Sequence, residues 1–324
     1  MRTFGRSTAI LSIATLALVG CGDGGEEGEA ETGTEEGGNG ASGQVVIDGS
    51  STVAPFGEAA AETFMQENPD VQVTVGTSGT GGGFESFCRG ETDISEASRS
   101  ISDEEIALCD EAGISYEELG VANDALSVIV NEENDFLECV SVDELSEIWN
   151  QDSEATNWSD IDPSYPDEAI QLYGPGTDSG TFDFFTEEIN GEEGNIRSDY
   201  NDIGEDDFAA ITGTSGNEFA MAFVPLSYTV EAEAEPIRTL EIENEEGDCV
   251  EPAFETVQDG SYNPLGRQLF MYPSDVALER TEVQEFLAFT IENNEALAES
   301  ANFIGLTEEQ AAEAQEKVDE LTGN

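Results

Sequence analysis

A strand, a glycine-rich turn and a helix start follow one another twice in this chain, and that repeated junction restricts the fold more than any other stretch. In the first copy Val71, Val73 and Val75 lead into the small residues from Gly76 to Gly83, after which Phe84, Phe87 and Cys88 recur at helical spacing. In the second, QLYGPGTDSGTFDFFTEEI at 171–189, Ser179, Gly180 and Thr181 open an aromatic-rich helix. The first amides of a helix have no intrahelical partner and sit at the positive end of its dipole, so such a junction favours an anion. Ser78 and Thr80 add hydroxyl donors to the first turn. Two anion-favouring turns in one chain predict two jaws.

The rest of the pattern supplies alternating elements. Residues 45–47 read as a strand, DGSSTVAPF as a turn, 58–67 as a helix ended by Asn68-Pro69, and 71–75 as the next strand. Helices are expected to start at 84 and at 103, with a buried strand over 125–130, a helix over 142–149, a strand over 170–173 and a helix over 181–189. Such alternation predicts an α/β fold with mostly parallel sheets, whose ligands sit at the carboxyl ends of strands. The small-residue turns at 49–53, 77–83 and 176–181 all fall at such ends.

Composition narrows the function classes. The chain has 73 acidic residues, 9 basic ones and no histidine, for a formal net charge of -64, and Lys317 is its only lysine. Seventeen phenylalanines and clear periodicity favour a packed core under an acidic skin rather than a disordered chain. Self-repulsion on this scale is screened at high salt, so the charge reads as adaptation to a hypersaline medium and argues against nucleic acid or an anionic membrane surface as partner. Without histidine, Ser-His-Asp catalysis is excluded. GTDSG does not fit the GxSxG nucleophile turn, and GTSGTGGG lacks the Gly-Lys-Ser/Thr ending of a P-loop.

Residues 1–21 carry Arg2 and Arg6 ahead of an apolar run ending in Leu18-Val19-Gly20-Cys21, a secretory signal whose ending resembles a bacterial lipobox with Cys21 as the lipidated residue. An ordinary cleaved signal with a stray cysteine is the alternative. Residues 22–43 contain no aliphatic side chain larger than alanine and read as a flexible acidic tether. Four cysteines remain, Cys88, Cys109, Cys139 and Cys249, an even number expected to form two disulfides in an oxidising compartment. Of three possible connectivities, Cys88–Cys109 with Cys139–Cys249 is favoured. Without CxxC spacing or histidine, no metal site is expected.

The segments DGSSTVAPF, TSGTGGGFESFCRGETDISEASR, DALSVIVN, YGPGTDSGTFDFFTE and SYNPLGRQLFMY together resemble the phosphate-binding proteins that serve Pst-type ABC transporters, across residues 45–291 and in the expected order. The resemblance implies a two-lobed periplasmic-binding-protein fold, each lobe a mostly parallel sheet flanked by helices, with phosphate closed between them. It implies a first lobe of residues 44–123 plus 252–324, a second of 124–251, and hinge crossings at 123–125 and 249–252. It also implies an extracytoplasmic, lipid-anchored monomer that needs no cofactor and hands inorganic phosphate to a membrane permease.

Carried over residue by residue, the phosphate loops fall on Ser51, Thr52 and the amide of Val53, on Ser78, Gly79 and Thr80, and on Ser179, Gly180 and Thr181. Where one branch of the family has an aspartate after Ala-Ser this chain has Arg99, and where that branch has an arginine four residues before the serine it has Pro175, so the guanidinium is expected on the other lobe. Asp178 is the candidate to accept a hydrogen bond through the proton that phosphate carries and sulfate lacks, although its place before Ser179 also suits a helix cap. Arg267 reads chiefly as a pin for a strand or hinge, Arg89 and Arg197 as partners of nearby carboxylates, Trp149 and Trp158 as core, and the final helix as packing on its own lobe. A binder of sulfate or molybdate, a phosphatase on the same scaffold, a surface lipoprotein and a carbohydrate binder are the alternatives.

Overall fold

The computed structural model describes residues 41–322 apart from 178, 205, 233 and 234. The segment 1–21 with Cys21, most of the 22–43 tether and Asp178 therefore lie outside the described residues.

From the start of the described chain, β1 (Gly43–Gly49), α1 (Ala54–Glu67), β2 (Val71–Gly76), α2 (Thr80–Cys88), β3 (Ile94–Ala97) and α3 (Asp103–Ala112) alternate as expected. Then come β4 (Leu119–Asn131), β5 (Cys139–Val140), α4 (Val142–Trp149), α5 (Trp158–Ile161), β6 (Gln171–Gly174), α6 (Gly180–Asn190), β7 (Asn201–Asp202) and α7 (Asp207–Ser215). The remainder is β8 (Ala220–Pro225), α8 (Leu226–Glu231), β9 (Ile237–Thr239), β10 (Glu241–Glu243), β11 (Cys249–Val250), α9 (Phe254–Gln258), β12 (Gly266–Pro273), α10 (Thr281–Glu292), α11 (Asn294–Ser300) and α12 (Glu308–Thr322).

The main sheet runs β2-β1-β3-β12-β4-β8-β6-β7, with β9 also on β4, and β11-β10-β5 forms a small separate sheet. Its flanks are parallel, β1 with β2 and β3, and β6 with β7 and β8, as βα alternation requires. Its middle is antiparallel, because β12 returns between β3 and β4, and β4 also pairs antiparallel with β8.

β4 is longer than the 125–130 strand expected from its apolar run, since nearly every residue from Leu119 to Asn131 is buried. Asn123 and Asp124 interrupt the apolar pattern at mid-strand, yet both are paired. Asn123 exchanges backbone hydrogen bonds with Ile304 and side-chain bonds with Gly305 and Gln310, and Asp124 meets Arg267. This polar pair stands where two cores meet. Leu119, Val121 and Ala122 pack with Ile47, Phe56, Phe64, Leu269, Met271 and Phe286, whereas Ala125, Leu126, Val128 and Val130 pack with Trp149, Trp158, Phe185 and Phe223. Val257, Tyr262 and Leu265 belong to the second core, so residues 254–265 lie with 125–250 in their apolar contacts. Trp149 and Trp158 are fully buried, and α12 sends Ala314 and Val318 into the first core.

Local signals fix several ends. Ser102 with Glu105 and Ser141 with Glu144 form capping boxes at α3 and α4. The disulfides are Cys88–Cys109 and Cys139–Cys249. Among the described residues no helix is long and apolar enough to cross a membrane.

Candidate functional site

Three helix starts, those of α1, α2 and α6, gather at one point. The loop after β1 leads directly into α1, with Val53 as its N-cap and Pro55 in its first turn. Proline costs nothing there, because its missing N–H would have had no helical partner. The Val53 side chain is buried in the first core, so this residue offers the site its backbone. Gly49 is required by close approach, since a Cβ there would stand 2.0 Å from the Glu96 carbonyl oxygen. Ser50 N donates to that same carbonyl at 2.9 Å.

Asp48 joins the first loop to the second. Its carboxylate accepts from Gly49 N at 2.9 Å, Ser78 N at 3.0 Å and Ser78 Oγ at 2.8 Å, while Gly79 N donates to Gly49 O at 2.9 Å. Gly79 caps α2 at φ 81°, a left-handed conformation that disfavours a side chain. Thr80 Oγ1 lies 3.1 Å from Ser98 Oγ and accepts from Ser98 N at 3.3 Å, which ties α2 to the end of β3. The third loop is seated on the first. Ser179 caps α6, accepting from Thr181 N at 3.3 Å, and Thr52 Oγ1 donates to Gly180 O at 3.4 Å.

A 290 Å³ cavity opens between these loops, lined by Ser50, Ser51, Thr52, Ser78, Gly79 and Thr80 on one side and by Asp183, Phe184, Glu187 and Glu193 on the other, with Arg267 at its wall. Arg267 leaves the start of β12. Its Nε donates to Asp124 Oδ2 at 3.3 Å, its Nη2 donates to Thr52 Oγ1 at 3.1 Å, and its guanidinium carbon lies 3.4 Å from the Phe184 ring centre. Arg267 and Asp124 side chains are only 12% and 8% exposed. Burial lowers the guanidinium and raises the carboxyl, while each partner's charge pulls the other back toward ionisation. A buried arginine already oriented by a carboxylate and a ring is a preorganised donor for a tetrahedral oxyanion.

Of the residues expected from the sequence, Ser51, Thr52, Ser78, Gly79 and Thr80 line this cavity. Ser179, Gly180 and Thr181 line an adjoining 160 Å³ cavity that shares Ser51 and Thr52 with it. Arg99 lines an adjoining 320 Å³ cavity with Ser78 to Gly82, Glu187 and Glu193, and both its terminal nitrogens donate to Glu105 at 2.9 Å. With its side chain 43% exposed, it is less enclosed than Arg267.

Asp183, one turn into α6, lines the cavity and accepts from Ser51 Oγ at 3.4 Å. Burial raises its carboxyl, against the Ser51 hydrogen bond and with a further push from Glu187. Asp48, Arg267 and Asp183 were not singled out by sequence reasoning as site residues. For Arg267 a signal existed: nine basic residues less Arg2 and Arg6 leave seven, and this one opens the apolar run QLFMY. Asp48 and Asp183 carry no such mark among 73 acidic residues.

A family model described as the PBP superfamily domain matches residues 34–294. The phosphate-binding protein PstS of Staphylococcus saprophyticus is 37% identical over 311 residues, 96% of this chain and 92% of that one. Protein SphX of Synechococcus elongatus is 41% identical over 264 residues, 81% of this chain and 77% of that one. Among solved structures, a possible phosphate binding protein from Planctomyces limnophilus matches with a TM-score of 0.83 at 39% identity, covering 87% of this chain and 99% of that chain.

Proposed function

We propose that this chain, which belongs to the PBP superfamily and to its Pst-type phosphate-binding branch, captures inorganic phosphate between two lobes and delivers it to an ABC transporter. The observation that carries this reading is Arg267, a buried guanidinium held by Asp124 and Thr52 in a cavity framed by helix starts and hydroxyls. Phosphate oxygens would take the Arg267 fork, the hydroxyls of Ser51, Thr52, Ser78 and Thr80, and the amides at the starts of α1 and α2. Ser179, Gly180 and Thr181 would complete the cradle from the second lobe as it closes. Micromolar affinity needs about -8 kcal/mol, which a few charge-assisted hydrogen bonds at ~1.5 to 3 kcal/mol each supply.

Asp183 takes the role of hydrogen-bond acceptor for the phosphate proton in this reading. It faces the first loop through Ser51, and a carboxylate at that place repels a fully ionised tetrahedral anion but accepts a hydrogen bond from one that carries a proton. Asp178 shares the candidacy from outside the described residues. Arg99 guards the entrance, where its charge offsets Glu187 and Glu193 and can join the ligand after leaving Glu105.

The lobes we assign are residues 44–123 with 266–324 and residues 124–265. This moves the second crossing from 252 to 266, in keeping with the packing of Val257, Tyr262 and Leu265. The chain would act outside the cytoplasmic membrane as a monomer, exported by residues 1–21, anchored through Cys21 and tethered by 22–43, with a permease as its protein partner. No cofactor is required, and no catalytic role is assigned. The test is a thermal-shift panel of phosphate, arsenate, sulfate and molybdate in high salt. Stabilisation by phosphate and arsenate alone supports the assignment, and stabilisation by sulfate or molybdate in their place overturns it.

A further inference from the structure

Beneath the first loop lies a carboxyl that the capture of phosphate does not use. Glu96 is fully buried in β3, and its backbone carbonyl receives Ser50 N. Its side chain rests against α1 at Gly57, where an added Cβ would stand 1.9 Å from Glu96 Oε1. Neither carboxyl oxygen has a hydrogen-bond partner among the described residues. The charged groups that face it are Asp48 from β1 and Glu58 from α1, both acidic, and β12 on its other side sets Met271 opposite it in register. Asp48 is the same residue that holds Gly49 N, Ser78 N and Ser78 Oγ.

An ionised carboxylate at this place would be buried, unpaired and beside two like charges, which a fold tolerates poorly. We propose that Glu96 is a proton-held support of the anion site: neutral, it underpins the 49–53 loop, and ionised, it repels Asp48, loosens the Ser78 contacts and weakens phosphate capture. Burial first, then Glu58 and Asp48, pushes the Glu96 carboxyl up to about 8 from its ordinary 4.5. Between those values the folded chain holds a proton that the unfolded chain has lost. The stability this group supplies is thus complete below about 4.5 and is lost progressively as pH rises toward about 8. By reciprocity, a bound anion above the loop favours the protonated carboxyl, so phosphate binding and proton retention at Glu96 reinforce each other.

The ligand in this inference rests on the phosphate reading, but the proton does not, and the test separates them. Glu96→Gln keeps the shape and removes the titration. Unfolding without ligand, and phosphate titration, are followed for both proteins in molar potassium chloride from about pH 5 to about pH 9. Across the window between the two pKa values, the wild-type unfolding constant is expected to grow up to about tenfold per pH unit relative to Glu96→Gln. The wild-type Kd for phosphate is expected to rise at least about threefold more than that of the variant over the upper half of the range. Parallel profiles for the two proteins would overturn the proposal. Should Glu96→Gln not fold, Glu58→Gln replaces it: a break in the stability profile shifted to lower pH supports the proposal, and an unmoved break overturns it. If neither folded protein binds phosphate near pH 6, the functional reading fails, while divergent unfolding profiles would still uphold the proton on Glu96.

Discussion

Arg267 and Asp183 make opposite demands on the same ligand. In the proposed site Arg267 would donate to an oxyanion and Asp183 would accept from one, so that the pair would select a tetrahedral anion that still carries a hydrogen. Arg267→Ala is expected to weaken phosphate binding about 10- to 100-fold, the value of one charged hydrogen bond, and more where the fork is bidentate. It also leaves Asp124 buried without its partner, so loss of stability of up to ~3 to 5 kcal/mol should appear in denaturant unfolding. Arg267→Lys keeps the charge but not the fork and should fall between. Asp183→Asn should admit sulfate while phosphate affinity falls only modestly. Competition titrations read both, and a variant that still excludes sulfate would remove Asp183 from the account.

The hydroxyl loops were legible because Ser, Gly and Thr at strand ends before helices have a local signature. Arg267 carried only the weak mark of a scarce basic residue, because its place depends on β12 returning through the middle of the sheet to meet Asp124, a pairing 143 residues apart in sequence. Arg99 looked the better candidate from its neighbours Ala97 and Ser98, yet its local geometry also favours Glu105, six residues on, which caps α3 at the same time.

At the scale of elements, the alternation of strand and helix was readable and the path of the sheet was not. Periodicity marks buried segments, but it carries no information on whether β12 lies beside β3 or at an edge. β4 shows the limit clearly: its apolar half was identified, and the half containing Asn123 and Asp124 was not, because those side chains find partners on distant segments. An alanine Cβ at Gly180 would stand 2.8 Å from Thr52 Oγ1 and 3.0 Å from Thr52 Cα, so Gly180→Ala should push α6 from the first loop and raise the Kd for phosphate with little loss of stability. The disulfides close loops of unequal length, 21 and 110 residues apart in sequence. On loop entropy, removing Cys88–Cys109 should cost ~3 kcal/mol and removing Cys139–Cys249 ~4 to 5 kcal/mol, measurable by denaturant unfolding of the paired serine variants. Equal losses would point to strain or packing in place of chain entropy.

For the whole molecule, charge sets the conditions under which the site can work. A net charge of -64 repels both itself and a phosphate dianion, so the site must rely on short-range donors and on salt. Transfer from about 2 M to about 0.1 M potassium chloride lengthens the Debye screening from a few Å to about 10 Å, and both the melting temperature and phosphate affinity should fall together. An unchanged melting temperature would show that the acidic skin is not under strain at low salt.

Whether Arg267, held at the cavity wall by Asp124 and Thr52, makes this cleft a phosphate site can be read by calorimetric titration of the folded protein. In about 2 M potassium chloride, where the acidic skin is screened, phosphate should bind one to one with at least micromolar affinity and sulfate should give no heat. Arg267→Ala, folded, should bind at least about tenfold more weakly. Wild-type protein that is folded and silent to phosphate would rule out phosphate as the ligand, and a folded Arg267→Ala variant that binds it unchanged would rule out Arg267 as the group that holds it.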